Sequence, residues 1–223
     1  MDEEEKIVEL IREETGEERD GETAQPQRRE ELVVKLKAPY RFEGKDYDEI
    51  DLNGLEKLTI QTAVDIQLEL MSGQEVAAML VTEATTAFAL ALAAKATEKP
   101  IEFFKCMPLG GAKKVVNAVR AWLTSGAAEN HVMVFDRPYV FQDKEYTQID
   151  LSGVADLNAM HLTEAENRMS QAGFFITENS FNFFYACIIA GMAVKLPEAF
   201  FLGLPVRELL KLKNAVNDAD FFA

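Results

Sequence analysis

The sequence predicts an α+β fold, mostly helical, made of two tandem repeats, each a β-hairpin followed by three to four helices. Three observations lead there. The chain repeats itself at a nearly constant spacing. Each repeat opens with apolar residues at period two, the spacing of a half-buried strand. Each then runs into apolar segments of helical length and spacing.

The repeat is read directly from the residues. PYRFEGKDYDEIDLNGLEKL, from Pro39, aligns with PYVFQDKEYTQIDLSGVADL, from Pro138, at an offset of 99. Ten pairs are identical: Pro39/Pro138, Tyr40/Tyr139, Phe42/Phe141, Lys45/Lys144, Tyr47/Tyr146, Ile50/Ile149, Asp51/Asp150, Leu52/Leu151, Gly54/Gly153 and Leu58/Leu157. Further on, PIEFFKCMPLGGAKKVVNAV aligns with PEAFFLGLPVRELLKLKNAV at an offset of 97. Eight more pairs match there, among them Pro100/Pro197, Phe103/Phe200, Phe104/Phe201, Pro108/Pro205 and Lys114/Lys211. Two blocks in the same order, with a two-residue change of length between them, indicate a duplicated module. The organisation read from this is an acidic flexible tail over 1–31, a first module over 32–125, a linker leading into a strand over 126–136, and a second module over 137–223.

The elements follow in order. Val34, Leu36, Tyr40, Phe42, Tyr47, Ile50 and Leu52 alternate with polar residues, as do Val132, Val134, Tyr139, Phe141, Tyr146, Ile149 and Leu151. Strands rich in Tyr, Phe and Val fit a pleated surface. EGKD and QDKE supply the hairpin turns, although Gly44 faces Asp143 and the turn type is left open. Thr59 and Asn158 are candidate N-caps. The first helix presents Ala63, Val64, Ile66 and Leu70; its counterpart presents Met160, Ala165 and Met169. Long apolar helices are expected over Thr82–Thr97 and Ser180–Val194. Pro100 and Pro197 open short helices. The last helices use Val115, Val116, Val119 and Leu123, and Leu209, Leu210, Leu212 and Val216.

Composition narrows function. Lys plus Arg number 23 against 38 Asp plus Glu, a net charge of -15. Such a surface repels nucleic acid and anionic membrane, whose binding needs clustered Lys and Arg. Residues 1–31 alone hold 13 acidic and 5 basic side chains and lack apolar periodicity beyond Ile7, Val8, Leu10 and Ile11. The apolar runs are shorter than the roughly 20 residues a membrane span requires. MDEEE at the start lacks the features of a secretory leader. A soluble, intracellular protein is expected.

No catalytic constellation stands out, so no catalytic residue, metal ligand or cofactor is expected. Two Cys and two His leave little material for a metal or redox site. Cys187, inside the apolar helix, reads as inert core. His161 with Glu164 reads as a surface helix pair, and Asp51 and Asp150 read as acceptors for the local backbone. No phosphate-cradling glycine motif occurs. Aromatic residues remain. Phe174, Phe175, Phe181 and Phe184 have smaller counterparts in the first copy, as do Phe183 and the terminal Phe221 and Phe222. The surplus fits a larger core, a contact between copies, or a groove for an apolar partner.

At the hairpin motif Tyr40–Leu58, at Leu90–Thr97 and at Pro100–Val119, the chain resembles the tail assembly chaperones of long-tailed bacteriophages, the contractile-tail phage and prophage type. Tyr139–Leu157 and Pro197–Val216 carry the likeness a second time. Members of that family are usually single modules, so a tandem pair departs from the pattern. The resemblance implies a non-enzymatic chaperone in the bacterial host cytoplasm that is not expected in the mature virion. It would bind apolar helices of the tape-measure protein and be shed as tail tube protein assembles. The implied partners are the tape-measure and tail tube proteins, with self-association left open and neither nucleic acid nor membrane involved. Phe174, Phe175, Phe181 and Phe184 are the candidate partner-binding residues. The alternative is a structural tail or baseplate component of the virion.

Overall fold

A computed structural model of the chain describes residues 29–73, 82–124, 131–175 and 179–218. The acidic stretch up to residue 28, most of the joint between the copies, and Phe221 and Phe222 lie outside the described residues.

Each copy begins with an antiparallel hairpin: β1 (Val33–Phe42) with β2 (Lys45–Asp51), and β3 (Val132–Phe141) with β4 (Lys144–Asp150). Registers agree residue for residue, with Tyr40 opposite Tyr47 and Tyr139 opposite Tyr146. Both ladders break between Lys35 and Tyr40, or between Val134 and Tyr139. That stretch contains the shared proline, which has no N–H to give to a ladder. The turns are two-residue loops with both residues at positive φ: Glu43 (47°) and Gly44 (80°), Gln142 (48°) and Asp143 (61°). This is the type I′ geometry whose twist suits a hairpin, and it settles the turn type.

Four helices follow in each copy. The first copy has α1 (Ile60–Ser72), α2 (Thr86–Thr97), α3 (Ile101–Lys105) and α4 (Leu109–Leu123). The second has α5 (Ala159–Gln171), α6 (Phe183–Val194), α7 (Glu198–Leu202) and α8 (Leu209–Val216). The long helices start later than their apolar runs suggest. Thr85 Oγ1 accepts from Phe88 N–H and Asn182 Oδ1 from Tyr185 N–H, so the cap falls there and a short 3-10 turn precedes it. Asn158 caps α5 as expected, whereas the Thr59 side chain makes no cap bond.

Gly54 and Gly153 recur for a packing reason. A Cβ on Gly54 would lie 1.8 Å from the Ala96 carbonyl oxygen, and one on Gly153 would lie 2.6 Å from that of Ala193. The turn after each hairpin therefore presses against the last turn of the long helix.

A two-stranded sheet is only marginally stable alone, and aromatic rings tie each hairpin to its helices. The Phe103 ring lies 5.1 Å from Tyr40, 5.2 Å from Phe42 and 4.9 Å from Tyr47. Phe200 repeats this with Tyr139, Phe141 and Tyr146 at 5.2, 5.3 and 4.8 Å. Phe103, Phe104, Phe200 and Phe201 are all buried.

The two copies share one contiguous core. Leu58 and Ile60 pair with the chain around Pro205: Ile60 N–H donates to Leu204 O and Val206 N–H to Leu58 O, each at 2.8 Å. The free N–H at the start of α1 thus finds its acceptor in the other copy, which explains why Thr59 need not cap it. The buried Gln67 amide donates to Thr82 Oγ1 and Phe181 O and accepts from Phe183 N–H. Phe88 and Phe183 meet at 5.4 Å across the same boundary.

Candidate functional site

The four candidate phenylalanines do not form one site. Phe174 and Phe184 stack, with centroids 5.9 Å apart and planes at 26°. Phe174 is buried and Phe184 half-buried, so this pair fills space between α5 and α6. Phe175 faces solvent at 63% exposure. Phe181 lies apart, half-buried at the boundary between the copies, with the Lys213 ammonium 5.8 Å from its ring.

The corresponding place in the first copy is open among the described residues. A groove of about 650 Å³ runs between α1 and α2 and ends at α3. Ile66, Leu70, Ala87, Leu90, Ala94 and Ile101 line it, and Glu69, Lys95, Glu98 and Lys105 stand at its edge. Ala87 takes the place that Phe184 has in the second copy, at the offset of 97. Among the described residues, bulk in one copy thus faces room in the other; the positions that align with Phe174 lie outside them. Sequence reading attended only to the bulk, because apolar periodicity shows which residues face inward but not what space they leave.

The groove has the shape and chemistry to accept the apolar face of a helix, with charged residues meeting the polar edges. Its walls are helices held by the shared core, so the surface is preformed. Its edge carries both signs of charge, so apolar contact sets the affinity rather than long-range attraction.

The other groups singled out by sequence have structural roles. Asp51 Oδ1 accepts from Asn53 N–H and Asp150 Oδ1 from Ser152 N–H, each at 2.9 Å, as local backbone acceptors. The hydrogen bond from the Ser152 backbone, then that from its side chain, holds Asp150 below the usual carboxylate range. His161 does not pair with Glu164: its Nδ1 faces Asn158 N–H at 3.2 Å in a capping box, while Glu164 takes Arg168 at 2.7 Å. The helix needs its free N–H groups satisfied, and that demand claims the imidazole. Met160, read as part of the buried face of α5, is 81% exposed, because α5 buries only Ala165 and Met169. Cys187 is buried within α6, and loss of solvation pushes its thiol well above the ordinary range. Cys106 is exposed.

A buried ionic cluster was not foreseen. Lys211 Nζ lies 2.6 Å from Asp136 and 3.0 Å from Glu208, and Arg207 lies 2.8 Å from Asp136. Burial alone lowers the pKa of Lys211, but hydrogen bonds to Asp136 and Glu208 outweigh it and the net shift is upward. The cluster ties β3 to α8 and to the turn before it. In the first copy the same framework positions hold Lys37, Gly110, Gly111 and Lys114; Lys114 Nζ donates to Lys35 O, as Lys211 Nζ does to Val134 O, but the acids are not there.

Among the described residues, no three His, Cys, Asp or Glu side chains converge as metal ligands, and no helix is long and apolar enough to cross a membrane. Comparison with protein-family models, with curated proteins and with solved structures finds no match to this chain.

Proposed function

We propose that this chain is a non-enzymatic chaperone of phage tail assembly. It holds apolar helices of a tape-measure protein in the α1–α2 groove and is shed as tail tube protein assembles. The observation that carries the reading is the preformed apolar groove with a charged edge, which accepts an amphipathic helix. The resemblance of the hairpin and Pro-Phe-Phe segments to tail assembly chaperones supplies the partner's identity. Exposed Phe175 offers a further apolar contact on the second copy.

The test is co-purification with the tape-measure protein from co-expressing cells. Ala87→Phe places in the first copy the side chain the second already carries. It is expected to close the groove, leave the melting temperature unchanged or raised, and lose the partner. Binding at the wild-type level by a folded Ala87→Phe variant overturns the groove as the site. Mass spectrometry of purified virions is expected to show the chain absent; stoichiometric presence favours a structural tail or baseplate component.

A further inference from the structure

The contact between the two copies is head to tail. The first copy contributes the turn and start of α1, from Leu58 to Gln67, together with Phe88; the second contributes Leu204 to Val206 and the start of α6, Phe181 to Phe183. An interface in which like met like would use the same patch on both copies and leave nothing over. Here the starts of the two long helices meet at Phe88 and Phe183, but the turn before α1 pairs with the Pro205 stretch, its non-equivalent, so each copy keeps one of those two patches unused. The unused patches are Met107–Gly111 on the first copy and the stretch around Leu157–Glu166 on the second. No bridge equivalent to Thr59–Pro205 joins Asn158 to Pro108 among the described residues.

Exposure shows the same asymmetry. Val206 is fully buried in the contact, while its counterpart Leu109 is 69% exposed. Ala63 is fully buried, while its counterpart Leu162 is 42% exposed, beside Met160 at 81%. Leu109 and Leu162, both exposed large apolar side chains, therefore sit on the two patches that would complete the repeat. Pro108 and Gly110, on either side of Leu109, line an open groove of about 380 Å³ together with Leu36, Pro39, Tyr40 and Met107. In the second copy the equivalent groove is narrowed by Phe135 and by Trp122 and Glu56 of the first.

Charge fits the same pairing. The free groove of the first copy is lined by Lys37, Lys113 and Lys114 and by no acid. The free patch of the second carries Asp156, Glu164 and Glu166. In a chain of net charge -15, a groove lined by three lysines and no acid is distinctive. Opposite signs at the two ends steer one end toward the other and disfavour like ends meeting.

We propose that the chain associates head to tail with further copies of itself. The start of α5 of one copy docks into the Leu36–Tyr40/Met107–Lys114 groove of the next, repeating the contact already made inside the chain. Repetition of a head-to-tail contact yields a closed ring of two or more chains, or an open chain. This rests on the internal interface and is independent of the α1–α2 groove and its tape-measure partner.

Sedimentation velocity of the full chain over a rising concentration series tests it. The expected result is a series extending beyond the dimer, or a closed ring. Leu109→Glu and Leu162→Glu each destroy one patch, and each variant alone is expected to sediment as a monomer. Mixed in equal amounts they are expected to form a one-to-one complex and stop there, because each retains one intact patch. Both residues are exposed, so folding should survive; Lys113→Glu and the milder Leu162→Gln serve in their place if circular dichroism shows a lost fold. A wild-type monomer at every concentration overturns the proposal. So does a dimer that both variants leave intact, or variants that fail to complement.

Discussion

The two halves of this molecule are the same framework finished in two ways. Hairpin register, turn geometry, aromatic cluster and glycine contact agree between them. What differs is filling. Among the described residues, the first half leaves a groove between α1 and α2 where the second stacks Phe174 on Phe184. It leaves an apolar groove rimmed by lysines where the second builds an ionic cluster around Lys211. Shared positions set the backbone; unshared ones decide which surfaces stay open. In a duplicated chain, the residues that carry function are better sought among the differences than among the identities.

The largest expected effect tests the shared part. Truncating Phe103 or Phe200 to Ala removes a buried ring that holds hairpin to helices, a change typically costing about 3–5 kcal/mol. Domain stabilities are about 5–15 kcal/mol, so either variant should melt far below the parent. Since both halves contribute to one core, each is expected to unfold the whole chain in a single transition, followed by circular dichroism and hydrogen exchange. Two separate transitions would mean that the halves are independent and that their contact is superficial.

The next effect separates the halves. Lys211 is 5% exposed and sits between Asp136 and Glu208, so Lys211→Ala leaves the buried Glu208 carboxylate without its cation, while Asp136 keeps Arg207. Removing one partner from a buried pair typically costs about 3–5 kcal/mol. The aligned Lys114 is exposed and donates to a backbone carbonyl, so Lys114→Ala should barely move the urea midpoint. Equal losses in the two variants would show that the lysine serves the framework rather than the second half's filling.

Much of the framework is legible in the sequence, because identity at fixed spacing reports backbone requirements. Proline marks the ladder break, glycine the close approach, and paired phenylalanines the buried cluster. Period-two and helical spacing then assign strands and helices. The site was harder to read. Periodicity marks Ala63, Ile66 and Leu70 as an inward face, yet cannot say that Ala87 leaves room beside them. Met160 sits at a spacing that suggests burial, but the position faces solvent in both halves, its counterpart being the exposed Gln61. The Lys211 cluster joins residues 75 positions apart, a distance at which sequence carries no pairing signal.

A smaller effect compares the two glycines. Ala at position 54 places a methyl 1.8 Å from the Ala96 carbonyl oxygen; Ala at 153 meets that of Ala193 at 2.6 Å. Both overlaps are with backbone, which yields only if the helix end moves. Overpacking of this kind costs about 1–3 kcal/mol. Gly54→Ala should fall at the upper end and Gly153→Ala below it, measured by urea unfolding. The reverse order would mean that the second half is the more tightly packed at this turn.

The smallest effect lies in the hairpin turns. Both use two residues at positive φ, but the first has Gly44 at 80° and the second Asp143 at 61°. An L-residue in the left-handed region typically costs about 1–2 kcal/mol, and aspartate tolerates it better than most because its short side chain can bond locally. Glycine avoids the steric strain but loses more backbone freedom on folding, which offsets part of the gain. Asp143→Gly is therefore expected to stabilise the chain by about 0.5 kcal/mol. Gly44→Asp meets no atom within 4 Å of the new Cβ, so it should lose a similar amount through backbone strain alone. Urea midpoints of the two single variants and of the exchanged pair measure this, and the exchanged pair should return close to the parent, since the turns lie in different hairpins and separate sites add. If Asp143→Gly destabilises instead, the aspartate side chain contributes more than its backbone strain costs, and the two turns are not equivalent after all.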